Sequence, residues 1–192
     1  MRILLLAPQP FYQERGTPIA VALVLKVLSE RGHDVDVVTY HEGRDVRLPR
    51  VTLHRIPRLP LVRGIRPGMS WKKLVCDLFV LIAALRLARA RRYDLVHAVE
   101  EAVFIALVLK RAFGLPYVYD MDSLLSGQLT DRLPWLAPVT PLLARCERFA
   151  LSEALAVLPV CEALETVARR WAPGPIVRLP DVSLLDDALD AL

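Results

Sequence analysis

Three short stretches bring chemically capable side chains together. The segment Pro8 to Pro18 reads PQPFYQERGTP and sets Arg15, Gly16 and the Thr17 hydroxyl just ahead of a helical pattern. A helix start has free backbone N–H groups, so this trio could hold an anion or the hydroxyls of a sugar. Thr17 could equally do no more than cap its helix, with Arg15 solvated. The second stretch, His97-Ala98-Val99-Glu100-Glu101, joins a strand end to a helix start. A histidine beside carboxylates can exchange protons near neutral pH, but two acids in a first helical turn are also favoured by the helix dipole alone. The third, Asp120-Met121-Asp122-Ser123, follows another strand-like run. Its carboxylates could take a proton, hydrogen-bond a sugar or cap a turn. No other acid or histidine is close to them in sequence, so no dedicated metal site is expected.

Several chemistries lack their signatures. The first loop has one glycine, Gly16, and neither GxGxxG nor GxxxxGK[ST] occurs, so the backbone cannot wrap a pyrophosphate in the usual ways. No serine sits in a GxSxG turn, and no cysteine has a histidine nearby. Cys76, Cys146 and Cys161 are an odd number without a CxxC pair, which predicts reduced core thiols rather than a disulfide framework or a zinc site.

These residues need elements to position them, and the elements alternate. Strand-like runs fall at 2–7, 34–40, 51–56, 94–98, 116–121, 154–159 and 176–179. Helical patterns fall at 18–31, 69–92, 100–113, 135–151 and 162–171, and Arg58–Gly68 is broken by prolines and glycines into a loop. Short strands, apolar on both sides and alternating with helices, predict an α/β domain with a doubly wound parallel sheet, Rossmann-like in its right-handed crossovers. Ligands of such sheets sit beyond the carboxyl ends of the strands, where all three stretches lie.

At 192 residues the chain has the length of one domain, and at 54% hydrophobic it is not a disordered one. Its net charge of +4 is unevenly spread: from Arg44 to Arg92 there are 13 bases and 2 acids. The helix at 69–92 is expected to lay Trp71, Leu74, Val75, Leu78, Ile82 and Leu85 on the sheet, yet Phe79, Val80 and Ala83 make its other side apolar too. Its charges, Lys72, Lys73, Arg86 and Arg89, lie at the ends, and Arg63 and Arg66 precede it. This suits contact with an anionic membrane surface, although a core helix with solvated ends has the same pattern. No aromatic residues interleave the charges, so nucleic acid is not expected as a partner. The longest uninterrupted apolar run, Leu78 to Leu85, is far shorter than the ~20 residues a bilayer needs.

Phe11–Ile19, Glu30–Tyr40 (ERGHDVDVVTY), His97–Ala102 and Tyr119–Ser123 followed by Gln128-Leu129 resemble the opening of family 4 glycosyltransferases of GT-B fold. The resemblance runs from Met1 to about Pro180. It implies a cytoplasmic retaining transferase, peripheral on the inner membrane face, that moves a sugar from a nucleotide-sugar to a sugar or lipid-linked acceptor without a cofactor. By that likeness residues 1–182 are the acceptor-side domain and 183–192 begin a linker. His97 and Asp122 become the catalytic candidates; Arg15, Gly16, Thr17, Glu100, Glu101, Asp120 and Ser123 are candidates for binding in the cleft. Two departures stand out. The pattern often has histidine where this chain has Asp122 and Val99, and no two glutamates are eight positions apart as the donor-binding half requires. The expectation is therefore half of a transferase, with the donor-binding domain absent here and supplied by another chain. The rival is a non-catalytic sugar- or lipid-binding module, or a truncated remnant, held on membranes by its basic helix.

Overall fold

A computed structural model describes residues 1–11, 16–60, 62–65, 70–124, 126–127 and 140–180. Among these residues six parallel strands form one sheet: β1 (Arg2–Ala7), β2 (Asp34–Thr39), β3 (Val51–Arg55), β4 (Leu95–Val99), β5 (Tyr117–Met121) and β6 (Ala156–Pro159), in the order β3-β2-β1-β4-β5-β6. The chain leaves β1 in one direction and returns to its other side with β4. The resulting switch point lies between β1 and β4, where parallel sheets of this kind open a crevice.

Among the described residues the helices include α1 (Gly16–Glu30), α2 (Trp71–Ala90), α3 (Ala102–Phe113), α4 (Thr140–Glu153) and α5 (Glu162–Trp171). Alternation along the strands sorts them into two layers. Ile3, Leu5 and Ala7 of β1 point to one face, where Val21 and Leu25 of α1 pack on them with Val35, Val37 and Val99. Leu4 and Leu6 point to the other, into a larger core shared with α2, α3, α4 and α5. Gly114, at φ 70°, takes the left-handed turn that ends α3 and donates its N–H to Lys110 O.

The expected doubly wound α/β sheet is present, with four differences in detail. The seventh strand is reduced to one parallel bridge between Val157 and Ile176: Val157 N donates to Pro175 O, and Val177 N and Leu179 N donate to Val157 O and Pro159 O, but Pro159 has no N–H to complete the ladder. Of the cysteines only Cys76 is in the core; Cys146 and Cys161 are free and exposed. The acids Glu100 and Glu101 precede α3 instead of forming its first turn, and Glu101 makes no capping bond.

The fourth difference is the rotation of α2. Its buried row is Cys76, Val80 and Ala84, while Trp71, Leu74 and Leu78 are more than half exposed. Small side chains spaced four apart let this helix approach the sheet closely, and Leu74 and Leu78 are turned outward while Leu81, Leu85 and Leu87 flank the core. Ser70 fixes its start, accepting a hydrogen bond from Lys73 N at 3.2 Å. Among the described residues no helix is long and apolar enough to cross a membrane.

Candidate functional site

The carboxyl edge of the sheet is organised around Glu100. Immediately after β4 this residue adopts φ 50°, the left-handed region that side chains other than glycine rarely enter. Its N–H donates to Asp120 O at 3.0 Å and its carbonyl accepts from Val103 N at 3.2 Å, so the turn is fixed at both ends. Such a conformation costs about 1 kcal/mol and persists where its surroundings over-determine it. The side chain then reaches both layers across the top of the sheet. Oε1 accepts from Thr17 Oγ1 at 3.2 Å on one side, and Oε2 lies 3.4 Å from Lys73 Nζ on the other. Thr17 is thus already inside α1 and serves the Glu100 carboxylate rather than capping the helix. Gly16 beside it is exposed, with open space where a Cβ would stand.

Lys73 is 12% exposed and forms a tight ion pair with Glu101. One turn further along α2, Asp77 accepts a short hydrogen bond from the Tyr40 hydroxyl. Three carboxyl groups therefore surround one ammonium. Burial lowers the Lys73 pKa, but the Glu101 and Glu100 carboxylates outweigh it and hold the lysine in its charged form. Burial pushes the Glu101 carboxyl well above the ordinary range, opposed by Lys73 and reinforced by Glu100. Asp77 is raised by burial to about 6 despite the help of Tyr40 and Lys73. A cluster that keeps protons on carboxyls close to neutral pH can give or take one.

His97 and Asp120 form a second, buried pair with His97 Nε2 3.0 Å from Asp120 Oδ2. A carboxylate only accepts, so Nε2 carries the donated hydrogen and the ring orientation is set. The alternation of β4, in which Ala98 faces the larger core and Val99 the α1 layer, puts His97 on the α1 side. Asp122 and Ser123 follow β5 at the same edge, half-buried and each with a partner.

The structure thus gathers Thr17, Glu100 and Glu101 into one constellation, with His97, Asp120, Asp122 and Ser123 on the adjoining strand ends. Arg15 and Arg66 lie outside the described residues. Lys73, read from the sequence as a surface base, is turned inward because three carboxyl groups draw it there. Arg63 is exposed and receives Lys72 Nζ at its carbonyl, at 2.7 Å. Arg86 and Arg89 are exposed near the far end of α2, about 21 Å and about 26 Å along the axis from Lys72. Asp77 and Tyr40 are functional candidates that sequence reasoning missed. One usable signal existed: Asp77 is the single acid within an apolar helix, one turn from Lys73. Among the described residues no three His, Cys, Asp or Glu side chains are grouped so as to hold a metal ion.

This arrangement has relatives. The chain matches 20% of positions in sucrose-phosphate synthase from Thermosynechococcus elongatus, with a TM-score of 0.70 over 96% of this chain and 49% of that one. It superposes on a UGT transferase from Siraitia grosvenorii, solved in complex with UDP, at 13% identity and a TM-score of 0.59, covering 100% of this chain and 55% of that one. Arabidopsis thaliana UGT89C1, complexed with quercetin, gives 14% identity and a TM-score of 0.57 over 100% of this chain and 55% of that one. The chain therefore spans about half the length of these solved structures, and at such identities the likeness is one of fold. No curated protein matches it. The family description of the glycosyl transferase 4-like domain matches residues 15–181, which span the whole constellation from Gly16 to Ser123, and the chain belongs to that family.

Proposed function

We propose that the chain is the acceptor-side half of a retaining sugar transferase, which takes its sugar from a nucleotide-sugar and shares its cleft with a donor-binding domain. The observation that carries this reading is the strained turn at Glu100, held at the switch point by Thr17 from one layer and Lys73 from the other. Strain is retained at such a point where it positions a ligand. Thr17, Glu100 and Glu101 would orient the acceptor hydroxyl, with Gly16 leaving room for it. His97, fixed by Asp120, and Asp122 would face the transferred sugar. Stabilisation of the positive charge that develops on that sugar would come largely from the donor-binding half.

Membrane contact belongs to the same proposal. Lys72, Arg63, Arg86 and Arg89, with Arg66, would meet anionic headgroups, each base near the surface being worth about 1 kcal/mol. The exposed Trp71 supports this, since an aromatic side chain suits the interface.

The test uses the chain assembled with a donor-binding domain and measures sugar transfer beside liposome binding. Thr17→Val and Glu100→Gln should lower transfer at least about tenfold, the loss of roughly 1.4 kcal/mol of transition-state stabilisation, and leave liposome binding unchanged. Undiminished transfer in both variants would contradict the reading. Sugar or lipid binding with no transfer under any donor would instead identify a non-catalytic module.

A further inference from the structure

Between α2 and α3, open toward the same carboxyl edge, lies a groove of about 360 Å³, within the size range of small-molecule sites. Its walls are Leu74, Leu78, Leu81, Phe104, Ile105 and Leu143. Its polar floor is formed by Lys73, Asp77 and Glu101. The walls explain the outward rotation of α2: Leu74 and Leu78 are 63% and 54% exposed because they line this groove rather than the core.

Two features of the floor define the occupant. Glu101 Oε2 is buried and has no hydrogen-bond partner among the described residues. A buried polar atom without a partner is costly, so a ligand group that pairs with it gains that interaction. A hydroxyl fits whether Glu101 is ionised or protonated, because it both donates and accepts. The charges of the described lining disfavour an anion. Lys73 is already paired with Glu101, and Asp77 and Glu100 add two further acids around it. Among the described residues lining the groove, an anionic headgroup would meet carboxyl groups without a free cation to neutralise it.

From the unpaired Glu101 oxygen and the apolar walls we infer that the groove takes the aliphatic part of an uncharged, hydroxyl-bearing amphiphile. Its hydroxyl is hydrogen-bonded at Glu101 Oε2. This rests on the acceptor-side reading and names the acceptor class, an uncharged aliphatic alcohol or polyol lipid. The anionic membrane contact proposed above lies outside the groove and does not share its charge preference.

Binding of monolauroylglycerol and of laurate to the 192-residue chain, below micelle-forming concentrations and by calorimetry, tests the inference without any transfer reaction. Monolauroylglycerol should bind at least about tenfold more tightly than laurate. Leu78→Glu should weaken it by about tenfold or more, since it loses a buried apolar contact and adds an acid. Leu142→Glu, at an exposed leucine outside the groove lining, should leave it unchanged, with circular dichroism confirming that both variants fold. Glu101→Gln should narrow the preference over laurate by replacing a carboxyl group of the floor with an amide that can donate to a carboxylate. Laurate binding as tightly as monolauroylglycerol, or Leu78→Glu having no effect, would overturn the inference. Loss of transfer in Glu100→Gln would still stand in that event, so the groove and the acceptor-side reading fail independently.

Discussion

Glu100 holds a backbone conformation that glycine adopts freely and alanine does not, so its strain can be measured. Glu100→Ala and Glu100→Gly both remove the carboxylate and its contacts to Thr17 and Lys73. They differ chiefly in the cost of φ 50°, offset in part by the larger chain entropy of glycine when unfolded. Urea denaturation should find the glycine variant more stable than the alanine variant by about 0.5–1 kcal/mol, the reverse of the order at an ordinary position. Asp77 makes a prediction in pH. Its carboxyl is raised from 3.8 to about 6 by burial, so the folded state binds the proton more tightly than the unfolded chain. The unfavourable ionised form therefore costs nothing below the unfolded value and costs most above the folded one. Asp77→Asn, which keeps an acceptor for Tyr40, should be more stable than the parent at neutral pH by roughly 3 kcal/mol as an upper bound, and the advantage should vanish in melts below about pH 4. Thr17 and the Glu100-Glu101 pair were legible in the sequence because each abuts a strand or helix end. The Tyr40–Asp77 bond was not, since its partners lie 37 residues apart and meet only in the folded sheet.

At the scale of elements α2 is the instructive case. Its existence and length follow from its sequence; its orientation does not, because apolar residues surround it on nearly every side and periodicity then points nowhere. Packing chose the row of small residues, Cys76, Val80 and Ala84, for the sheet, and ion pairing drew Lys73 inward toward the glutamates. Enlarging that row should hurt more than altering the opposite one. Ala84→Leu is expected to cost about 1–3 kcal/mol by overpacking, whereas Leu78→Gln should stay within about 1 kcal/mol. Thermal melts of the two variants distinguish this rotation from the one with Leu78 on the sheet, which demands the opposite ranking. The site residues Arg15 and Arg66 fall on segments outside the described residues, and their placement adds nothing to either ranking.

Over the whole molecule the sheet has a strained turn at its carboxyl edge and a fastening point inside β2. At the middle of β2, Asp36 is buried; it accepts hydrogen bonds from His54 at 2.6 Å and Tyr93 at 2.8 Å, and both its carboxylate oxygens accept from Arg91 Nη1 at 3.0 Å. This joins β2 and β3 to the connection between α2 and β4. Burial alone would raise its pKa, but the bonds from His54, Tyr93 and Arg91 outweigh it and lower the value. The stabilisation is therefore present above the ordinary carboxylate pKa and lost as pH falls through the lowered one, opposite in sign to Asp77. Asp36→Ala should cost about 2 kcal/mol in denaturant titrations at neutral pH, because it leaves the buried Tyr93 hydroxyl unpaired and removes the bonds to the partly exposed His54 and Arg91. The fold itself was legible, since strand and helix alternation dictates a parallel sheet; the fastening at Asp36 was not, as it depends on contacts between distant segments. The most direct test of the acceptor-side assignment is to titrate the 192-residue chain with UDP-, GDP- and ADP-sugars by calorimetry. The expected result is no binding at millimolar ligand, with donor affinity appearing only when a donor-binding domain is added. Micromolar binding of any nucleotide-sugar to this chain alone would place the donor site here and contradict the assignment.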